Sequence, residues 1–397
     1  MVSAAGRDFR GRYLLGFLTF LARNARPLAF GTLHAFYSAP GQTFFIGLFV
    51  ASFAAAFGLT PVSIGALYLA ATLGSAATLL FVGHWIDQVR LVHYSAAVIV
   101  GLAAACLLAA VAVGPLTLLL ALYLLRLTGQ GLMVHVESTA TARAFNADRG
   151  KALGVTALGL PLAELVVPAT AVFLISVIGW RWTYAAVGIV ALVVLLPLTQ
   201  WLLSGIHRGP RPTPGPNGAW RRLADGLALM MRSRYVWATL AALSLLPFGG
   251  TALYFHISTI VAAKGWPIAM IALSFPVSAI ANVTGLFVAG RLIDRISARK
   301  VFLFHAVPHL IGIAILATAT DAWALPVAFA LAGFSFGLGK PTMTAMWAEV
   351  FGTGSLGTIR SAVAMFGVFA SALAPFALGA ALDGGVSVRT ALQAYVA

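Results

Sequence analysis

The sequence predicts an all-α polytopic membrane protein, built from two six-helix bundles that are related by pseudo-two-fold symmetry. Hydrophobic residues make up 61% of its 397 positions and charged residues only 9%, which is too little polar surface for a soluble globule. Apolar runs of about 20 residues, the length that crosses a bilayer, recur along the chain. A long-range repeat divides these runs into two parallel halves, an organisation typical of membrane transporters.

Eleven apolar runs are long enough to cross a membrane. They are 28–57, 61–83, 92–113, 115–137, 152–178 and 182–204 in the first half, and 235–263, 267–290, 301–319, 322–347 and 358–381 in the second. Because the first half has six runs, the repeat predicts six in the second half as well. The residues after Gly384 provide only the start of a twelfth run, so we expect the last helix to be truncated or missing.

The repeat is clearest where the second and eighth runs end. Gly83 and Asp87 are followed 207 residues later by Gly290 and Asp294. Three more pairs repeat at an offset of 206 residues, namely Pro61 and Pro267, Gly131 and Gly337, and Phe145 and Phe351. The register therefore holds over several helices, as expected for two halves that rock against each other.

The basic residues are distributed asymmetrically between the two membrane faces. If the N-terminus is cytoplasmic, twenty of the 25 Lys and Arg residues fall on the cytoplasmic side, and only Arg181, Lys264 and Arg389 fall on the other. Loops rich in Lys and Arg stay on the cytoplasmic side. We therefore expect a cytoplasmic N-terminus and a multi-pass protein of the bacterial inner (plasma) membrane. The asymmetry also explains the net charge of +15 without a nucleic-acid partner.

Composition divides the chain into four segments. Residues 1–27 are predicted to form a cytoplasmic segment with a short interfacial helix, and residues 28–204 the first six-helix bundle. A Pro- and Gly-rich stretch, which can be neither helical nor buried in hydrocarbon, identifies residues 205–234 as a cytoplasmic linker. Residues 235–397 are predicted to form the second bundle, with an incomplete last helix.

The sequence lacks the local patterns of catalytic and nucleotide-driven proteins. It contains no phosphate-binding loop, metal-ligand spacing or nucleophile elbow, and its loops are too short for an extramembrane domain. We therefore expect no enzyme activity, no cofactor, no metal and no ATP drive. The expected partners are a small-molecule substrate and the lipid bilayer, and the expected oligomeric state is a monomer.

Three stretches carry a resemblance to a known family. Residues 290–300 have the sequence Gly-Arg-Leu-Ile-Asp-Arg-Ile-Ser-Ala-Arg-Lys, which is similar to the loop signature that the major facilitator superfamily has after its second and eighth helices. Residues 126–131, Arg-Leu-Thr-Gly-Gln-Gly, resemble its fourth-helix motif, and residues 179–182, Gly-Trp-Arg-Trp, resemble a run before its sixth helix. The resemblance extends over nearly the whole chain and implies a transporter of two helical bundles.

The two copies of the loop are candidate gates. An acid after a helix end can accept hydrogen bonds from a neighbouring helix N-terminus and pair with Arg or Lys, which would hold one membrane side shut. The candidate gating residues are Gly83, Asp87 and Arg90 in the first copy, and Gly290, Asp294, Arg295, Arg299 and Lys300 in the second, which retains more cations. The alternative is that these charges only set the topology.

Two cations at membrane depth favour an anionic substrate. Arg126 lies well inside the fourth run and Lys340 inside the tenth, and each costs several kcal/mol unless it faces a wet cavity or a partner. A carboxylate would satisfy both groups. The alternatives are that Arg126 pairs with Glu164 or Glu137, and that Lys340 extends toward the cytoplasm.

Acidic residues inside the runs are candidates for proton coupling. Only Glu137 and Glu164 occur there, and Glu164, four residues before Pro168, is the first choice because a buried carboxylate can bind a proton reversibly. Glu137 and the nearby His135 lie toward the cytoplasmic end of the fourth run, and the alternative is that Glu137 is a solvated acid.

Further polar residues lie on helices that line the cavity in the superfamily. The candidate substrate contacts are Tyr37, Gln42, Tyr254, His256 and Asn282. A lone His in a membrane span is often a packed interior group instead.

The leading hypothesis is a secondary active transporter that moves a small organic anion by alternating access, either coupled to protons or by exchange. Residues 347–352 and 357–361 loosely resemble the monocarboxylate and oxalate–formate branch, although the eighth run lacks the Arg that this branch uses. The alternative is a proton-coupled exporter of drugs or metabolites in which Arg126 is structural and Glu164 is the proton site.

Overall fold

The computed structural model describes residues 15–145, 147–204, 228, 231–232, 234–351 and 356–397. Within these ranges the chain is helical, with short connections and no β-strand. Residues 15–23 form a helix where the sequence predicts an interfacial helix. The predicted linker 205–234 lies almost entirely outside the described residues, as do residues 1–14.

The first half consists of ten α-helices with three short non-α segments. The α-helices are α1 Ala25–Tyr37, α2 Thr43–Phe57, α3 Pro61–Val82, α4 Trp85–Gln88, α5 Leu91–Ala110, α6 Pro115–Leu125, α7 Val134–Ala144, α8 Arg149–Ala157, α9 Gly159–Val190 and α10 Leu196–Ser204. A 3₁₀ turn Ala39–Gly41 separates α1 from α2, and π-helical segments cover Arg126–Met133 and Ala191–Leu195.

The described residues of the second half form eight α-helices. They are α11 Arg234–Phe255, α12 Ile257–Ala263, α13 Ala269–Ile296, α14 Ala298–Phe304, α15 Val307–Thr318, α16 Ala324–Phe351, α17 Leu356–Asp383 and α18 Val388–Val396.

The number of membrane crossings agrees with the sequence once one long helix is divided. Among the described residues nine helices are long and apolar enough to cross, or ten if the bent pair α11 and α12 is one span. The longest stretch, Arg149–Ser204, has 56 residues. At about 1.5 Å per residue it is more than twice as long as the hydrocarbon core is thick. It is interrupted at Gly179, where φ is 78°, and dividing it there gives eleven crossings.

The first helix of each half is broken, for identifiable reasons. Between α1 and α2 the chain turns at Pro40 and Gly41, where proline cannot donate to the helix ladder and glycine allows a close approach. A Cβ at Gly41 would lie 2.2 Å from the Leu125 carbonyl oxygen. In the second half α11 and α12 meet at His256 with a bend of 63°.

The two halves contact each other through small residues. The contacting helices are α3 with α17, α9 with α13, and α2 with α11. A Cβ at Gly65 would lie 2.7 Å from the Pro375 carbonyl oxygen, and one at Gly379 would lie 2.3 Å from the Pro61 carbonyl oxygen. Such close backbone approach is typical of packed membrane helices.

The close approaches at Gly65 and Gly379 lie on one side of the membrane. We call the face that carries the loops after α3 and α13 the motif side, and the face that carries Pro61 and Asp383 the opposite side. The Val62 amide donates to Asp383 Oδ2 at 3.0 Å on the opposite side. The Tyr68 and Phe255 rings, also from different halves, are 4.6 Å apart.

Candidate functional site

A cavity of about 210 Å³ lies between the two halves. It is lined by Gln42, Thr43, Phe44, Gln130, Glu164, Leu246, Pro247, Gly250, Thr251, Tyr254, Asn282 and Phe336. Asn282 and Phe336 lie near the middle of α13 and α16, so the cavity is near the membrane centre. Both halves contribute side chains, as expected for a site between two moving bundles.

Four polar side chains of the lining have no hydrogen-bond or ion-pair partner among the described residues. Gln130, Glu164, Thr251 and Asn282 are half-buried, and none makes a hydrogen bond or ion pair to another described residue. Most buried polar side chains in folded proteins do have a partner. Four free groups around one cavity therefore indicate a place where a ligand or water completes the hydrogen bonds.

The remaining polar groups of the lining are held by neighbours. Gln42 Nε2 donates to Ser38 Oγ at 3.1 Å, and the Tyr254 hydroxyl is 3.1 Å from Ser278 Oγ. These contacts fix the side chains at the cavity edge.

The π-helical segment positions Gln130. A Cβ at Gly129 would lie 2.7 Å from the Cα of Gly41, so the segment packs directly against the break between α1 and α2. A π-helix contains an extra residue in its turn and is frequent at functional sites. Gln130 belongs to this segment and lines the cavity.

Arg126 lies behind the cavity wall and not in the lining. It is 3% exposed, its Nη1 donates to the Gly41 carbonyl oxygen at 3.1 Å, and its guanidinium is 5.0 Å from the centre of the Tyr68 ring. Its Nε has no hydrogen-bond partner in the described part of the chain. The structure does not show the alternative pairing with Glu164 or Glu137, because no ion pair to Arg126 occurs within the described ranges.

Lys340 is exposed and does not line the cavity. It interacts electrostatically with Glu137, which belongs to the other half. Glu137 is buried and accepts a hydrogen bond from the Thr156 hydroxyl, which corrects the alternative of a solvated acid.

The predicted proton-coupling residues occupy two different places. Glu164 lines the cavity. Glu137 and His135 lie toward the motif side, where His135 Nε2 donates to the Gly83 carbonyl oxygen at 3.0 Å. The geometry therefore separates Glu164 from the other two candidates.

Of the seven residues predicted to contact the substrate, three line the cavity, namely Gln42, Tyr254 and Asn282. Tyr37 lines a separate apolar groove beside α9. His256 is fully buried, and its Nε2 donates to the Pro375 carbonyl oxygen at 2.8 Å, so it packs between helices.

Several lining residues were not predicted. Gln130 lies in the fourth-helix motif, and its pseudo-equivalent position 206 residues later is Phe336. A polar amide inside an apolar run is a signal that could have identified Gln130. Phe44, Thr251 and Phe336 resemble other residues of their runs, and only packing reveals them.

The two gating loops have different partners. Asp87 forms an ion pair with Arg143 of α7, whose Nη1 also donates to the Ile86 carbonyl oxygen at 3.1 Å. Asp294 is exposed and makes no ion pair to any described residue. Among the described residues, the loop aspartate therefore pairs with a cation in the first copy only, whereas in the second copy Arg299 Nε lies 3.9 Å from Glu349 Oε2.

Glu349 of α16 replaces Asp294 as the acid of the second loop. It accepts from the Ala298 amide at 2.9 Å and from the Arg299 amide at 3.3 Å, which caps the start of α14. Position 349 is the pseudo-equivalent of Arg143, 206 residues later. At the position equivalent to that of Arg143, the partner of Asp87, the second half therefore has an acid and supplies no cation for Asp294. Arg90, Arg295 and Lys300 are exposed, as is Gly290, whereas Gly83 is buried.

The family model described as Major Facilitator Superfamily matches residues 31–375. The chain belongs to the major facilitator superfamily. This match covers most of both halves, and together with the helical architecture it identifies a transporter fold. It does not confirm the resemblance to the monocarboxylate and oxalate–formate branch.

Solved structures of superfamily transporters have the same fold. A bacterial homologue of the human lysosomal transporter Spinster, described as inward-facing and unoccupied, has a TM-score of 0.71 at 16% identity, covering 94% of this chain and 85% of that one. The nucleoside transporter NupG has a TM-score of 0.71 at 13% identity, covering 94% of both chains. No curated protein sequence matches the chain.

Proposed function

We propose that this superfamily member is a proton-coupled secondary transporter, which carries a small organic molecule through the central cavity. The observation that carries the proposal is Glu164. It is the one charged side chain among the described residues of the lining, and it has no partner there. A carboxylate at this depth is costly unless it is functional.

The contacts between the halves support alternating access. On the opposite side the halves touch through Gly65, Gly379 and the hydrogen bond from Val62 to Asp383. On the motif side Glu137 and Lys340 interact electrostatically but form no ion pair within 4.0 Å. Closure of the motif side would bring these two residues together while the opposite side opens.

The position of the cations changes the weight of the two substrate hypotheses. The hypothesis of an organic anion as substrate requires Arg126 and Lys340 to contact it, and neither residue lines the cavity. The alternative hypothesis, a proton-coupled exporter of drugs or metabolites in which Arg126 is structural, agrees with the bond from Arg126 to Gly41. We therefore favour a metabolite or drug-like substrate that is not an anion. The monomeric state, the bacterial inner membrane and the cytoplasmic N-terminus remain predictions.

The proton site can be tested without knowing the substrate. Infrared difference spectra of the purified protein between acidic and alkaline pH should show a protonated carboxyl band that disappears in Glu164→Gln. Glu137→Gln is the matched control, because Glu137 is also buried but does not line the cavity. A titrating band that is unchanged in Glu164→Gln contradicts the proposal.

A further inference from the structure

We infer that the cavity binds an uncharged molecule with a planar ring whose edge carries both a hydrogen-bond donor and an acceptor. The inference rests on the proposed function only in taking this cavity as the transport site. Three observations carry it: the free amides, the charges around the cavity, and the aromatic side chains of its wall.

The free amides come from opposite halves. Gln130 belongs to the first half and Asn282 to the second, and both are half-buried without a partner among the described residues. A carboxamide offers a donor and an acceptor side by side. It therefore pairs through two hydrogen bonds with a ligand edge of the same kind, as Asn and Gln do with nucleobases. A ligand with only a donor or only an acceptor would leave one group of each amide unpaired, which is unfavourable.

The charges around the cavity favour a neutral ligand. Glu164 lies in the wall and, when ionised, attracts a cation and repels an anion. Arg126 has the opposite effect and lies one side chain behind the wall, because Tyr68 beneath its guanidinium is hydrogen-bonded through its hydroxyl to Thr43 Oγ1 at 2.6 Å. Since the two charges have opposite signs, the site needs no charged ligand to balance it, and a neutral ligand has no charge of its own to desolvate.

The aromatic side chains provide surfaces for a ring. Phe44, Tyr254 and Phe336 line the cavity. The Phe336 ring lies against Gly250, where a Cβ would be only 2.3 Å from its Cζ, so a side chain there would displace the ring. Aromatic faces stack on planar ligand rings. The volume of about 210 Å³ has room for one such small molecule.

Binding to the purified full-length protein tests the inference, with thermal shift and calorimetry as readouts. The neutral ring probes are uridine, adenosine and nicotinamide, and the comparison probes are benzoate as a planar anion, tetraphenylphosphonium as an aromatic cation, and glucose as a neutral molecule without a planar ring. We expect at least one neutral ring probe to raise the Tm in proportion to its concentration, and the comparison probes to have no effect.

The amides provide the matched variants. Gln130→Leu and Asn282→Leu keep approximate size but remove the hydrogen-bonding edge, and each should weaken binding about tenfold or more. Gln393→Leu is the control, because Gln393 is exposed and lies outside the cavity. The Tm without ligand shows whether each variant is folded. If one of the two variants does not fold, the other decides.

The outcomes separate the inference from the proposed function, since binding requires no proton gradient. Binding of benzoate or tetraphenylphosphonium without binding of the neutral ring probes overturns the inference, as does the absence of binding by all of these probes. Ring binding that is unaffected in both amide variants also overturns it. A titrating Glu164 band together with any of these results would leave the proton proposal standing.

Discussion

Arg126 is a buried charge that holds the break between α1 and α2 in place and does not line the cavity. Its guanidinium bonds to the backbone of Gly41 and covers the Tyr68 ring, so it connects the fourth crossing to the break in the first. One hydrogen bond and one ring contact are few compensations for a cation that is 3% exposed. The cost of desolvating an unpaired ion exceeds such gains.

We therefore predict that Arg126→Met raises the thermal stability and impairs transport. Met has a similar length and no charge to desolvate, so the Tm should rise by on the order of 2 °C or more. The orientation of Gly41 and Thr43 would be lost, so substrate exchange should fall. Scanning fluorimetry and exchange in proteoliposomes measure the two effects. A lower Tm would mean that the bond to Gly41 outweighs the desolvation cost.

At the scale of elements, different interactions hold the loops after α3 and α13 in place, an ion pair in the first and a helix cap in the second. Asp87 pairs with Arg143 across two helices, and Glu349 caps the first amides of α14. Both the Asp87 and the Arg143 side chains are partly exposed, with 41% and 29% of their surface accessible. Solvent therefore weakens the ion pair to no more than about 1 kcal/mol.

The loops should respond unequally to the same substitution. Asp87→Asn should increase local opening of residues 84–90 by about two- to fivefold, measured as faster amide hydrogen exchange. Asp294→Asn should leave residues 291–297 unchanged, because Asp294 is exposed and has no ion pair with the described residues. Equal effects from both substitutions would show that the two acids share one role.

The packing of α3 against α17 depends on the absence of a side chain at Gly65. A methyl group there would lie 2.7 Å from the Pro375 carbonyl oxygen, which cannot move aside as a side chain can. Gly65→Ala should therefore separate the two halves on the opposite side. A cysteine introduced at the contact between α3 and α17 should then react faster with a thiol reagent than it does without the Gly65→Ala substitution. Gly74→Ala on the same helix is the control, because a Cβ at Gly74 makes only an ordinary 3.4 Å contact with Tyr123. No difference between the variants would contradict the packing argument.

Much of the fold could be predicted from apolar runs and the repeat, including the boundary at Gly179. The site was predicted only in part. Glu164, Gln42 and Asn282 line the cavity, because intramembrane polar groups tend to face the interior. The depth of Arg126 could also be read from the sequence, but its direction could not. The π-helical segment that begins at Arg126 adds a residue to the turn, and an extra residue rotates a helix face by about 100°.

For the whole molecule, the residue pairs between the two halves suggest that only one side of the membrane is closed at a time. On the opposite side the Val62 amide bonds to Asp383. On the motif side Glu137 and Lys340 come from different halves and interact electrostatically without an ion pair. A rigid rocking motion that closes one side opens the other.

We predict that paired cysteines at these places form disulfides in alternation. With Cys106 replaced by Ser, Val62→Cys with Asp383→Cys should cross-link in the conformation described here. Glu137→Cys with Lys340→Cys should cross-link only when the motif side closes. A ligand that favours one state should raise one yield and lower the other, measured by gel shift after mild oxidation. Yields that rise together would exclude a rocking motion between these sites.

The opposite charges at positions 143 and 349 mean that the two halves are not interchangeable, residue for residue. An arginine at position 349 would leave the Ala298 and Arg299 amides at the start of α14 without the carboxylate that accepts from them. An acid at position 143 would replace the cation that pairs with Asp87. Each loop therefore depends on the residue that its own half supplies, although the two residues occupy equivalent positions of the repeat.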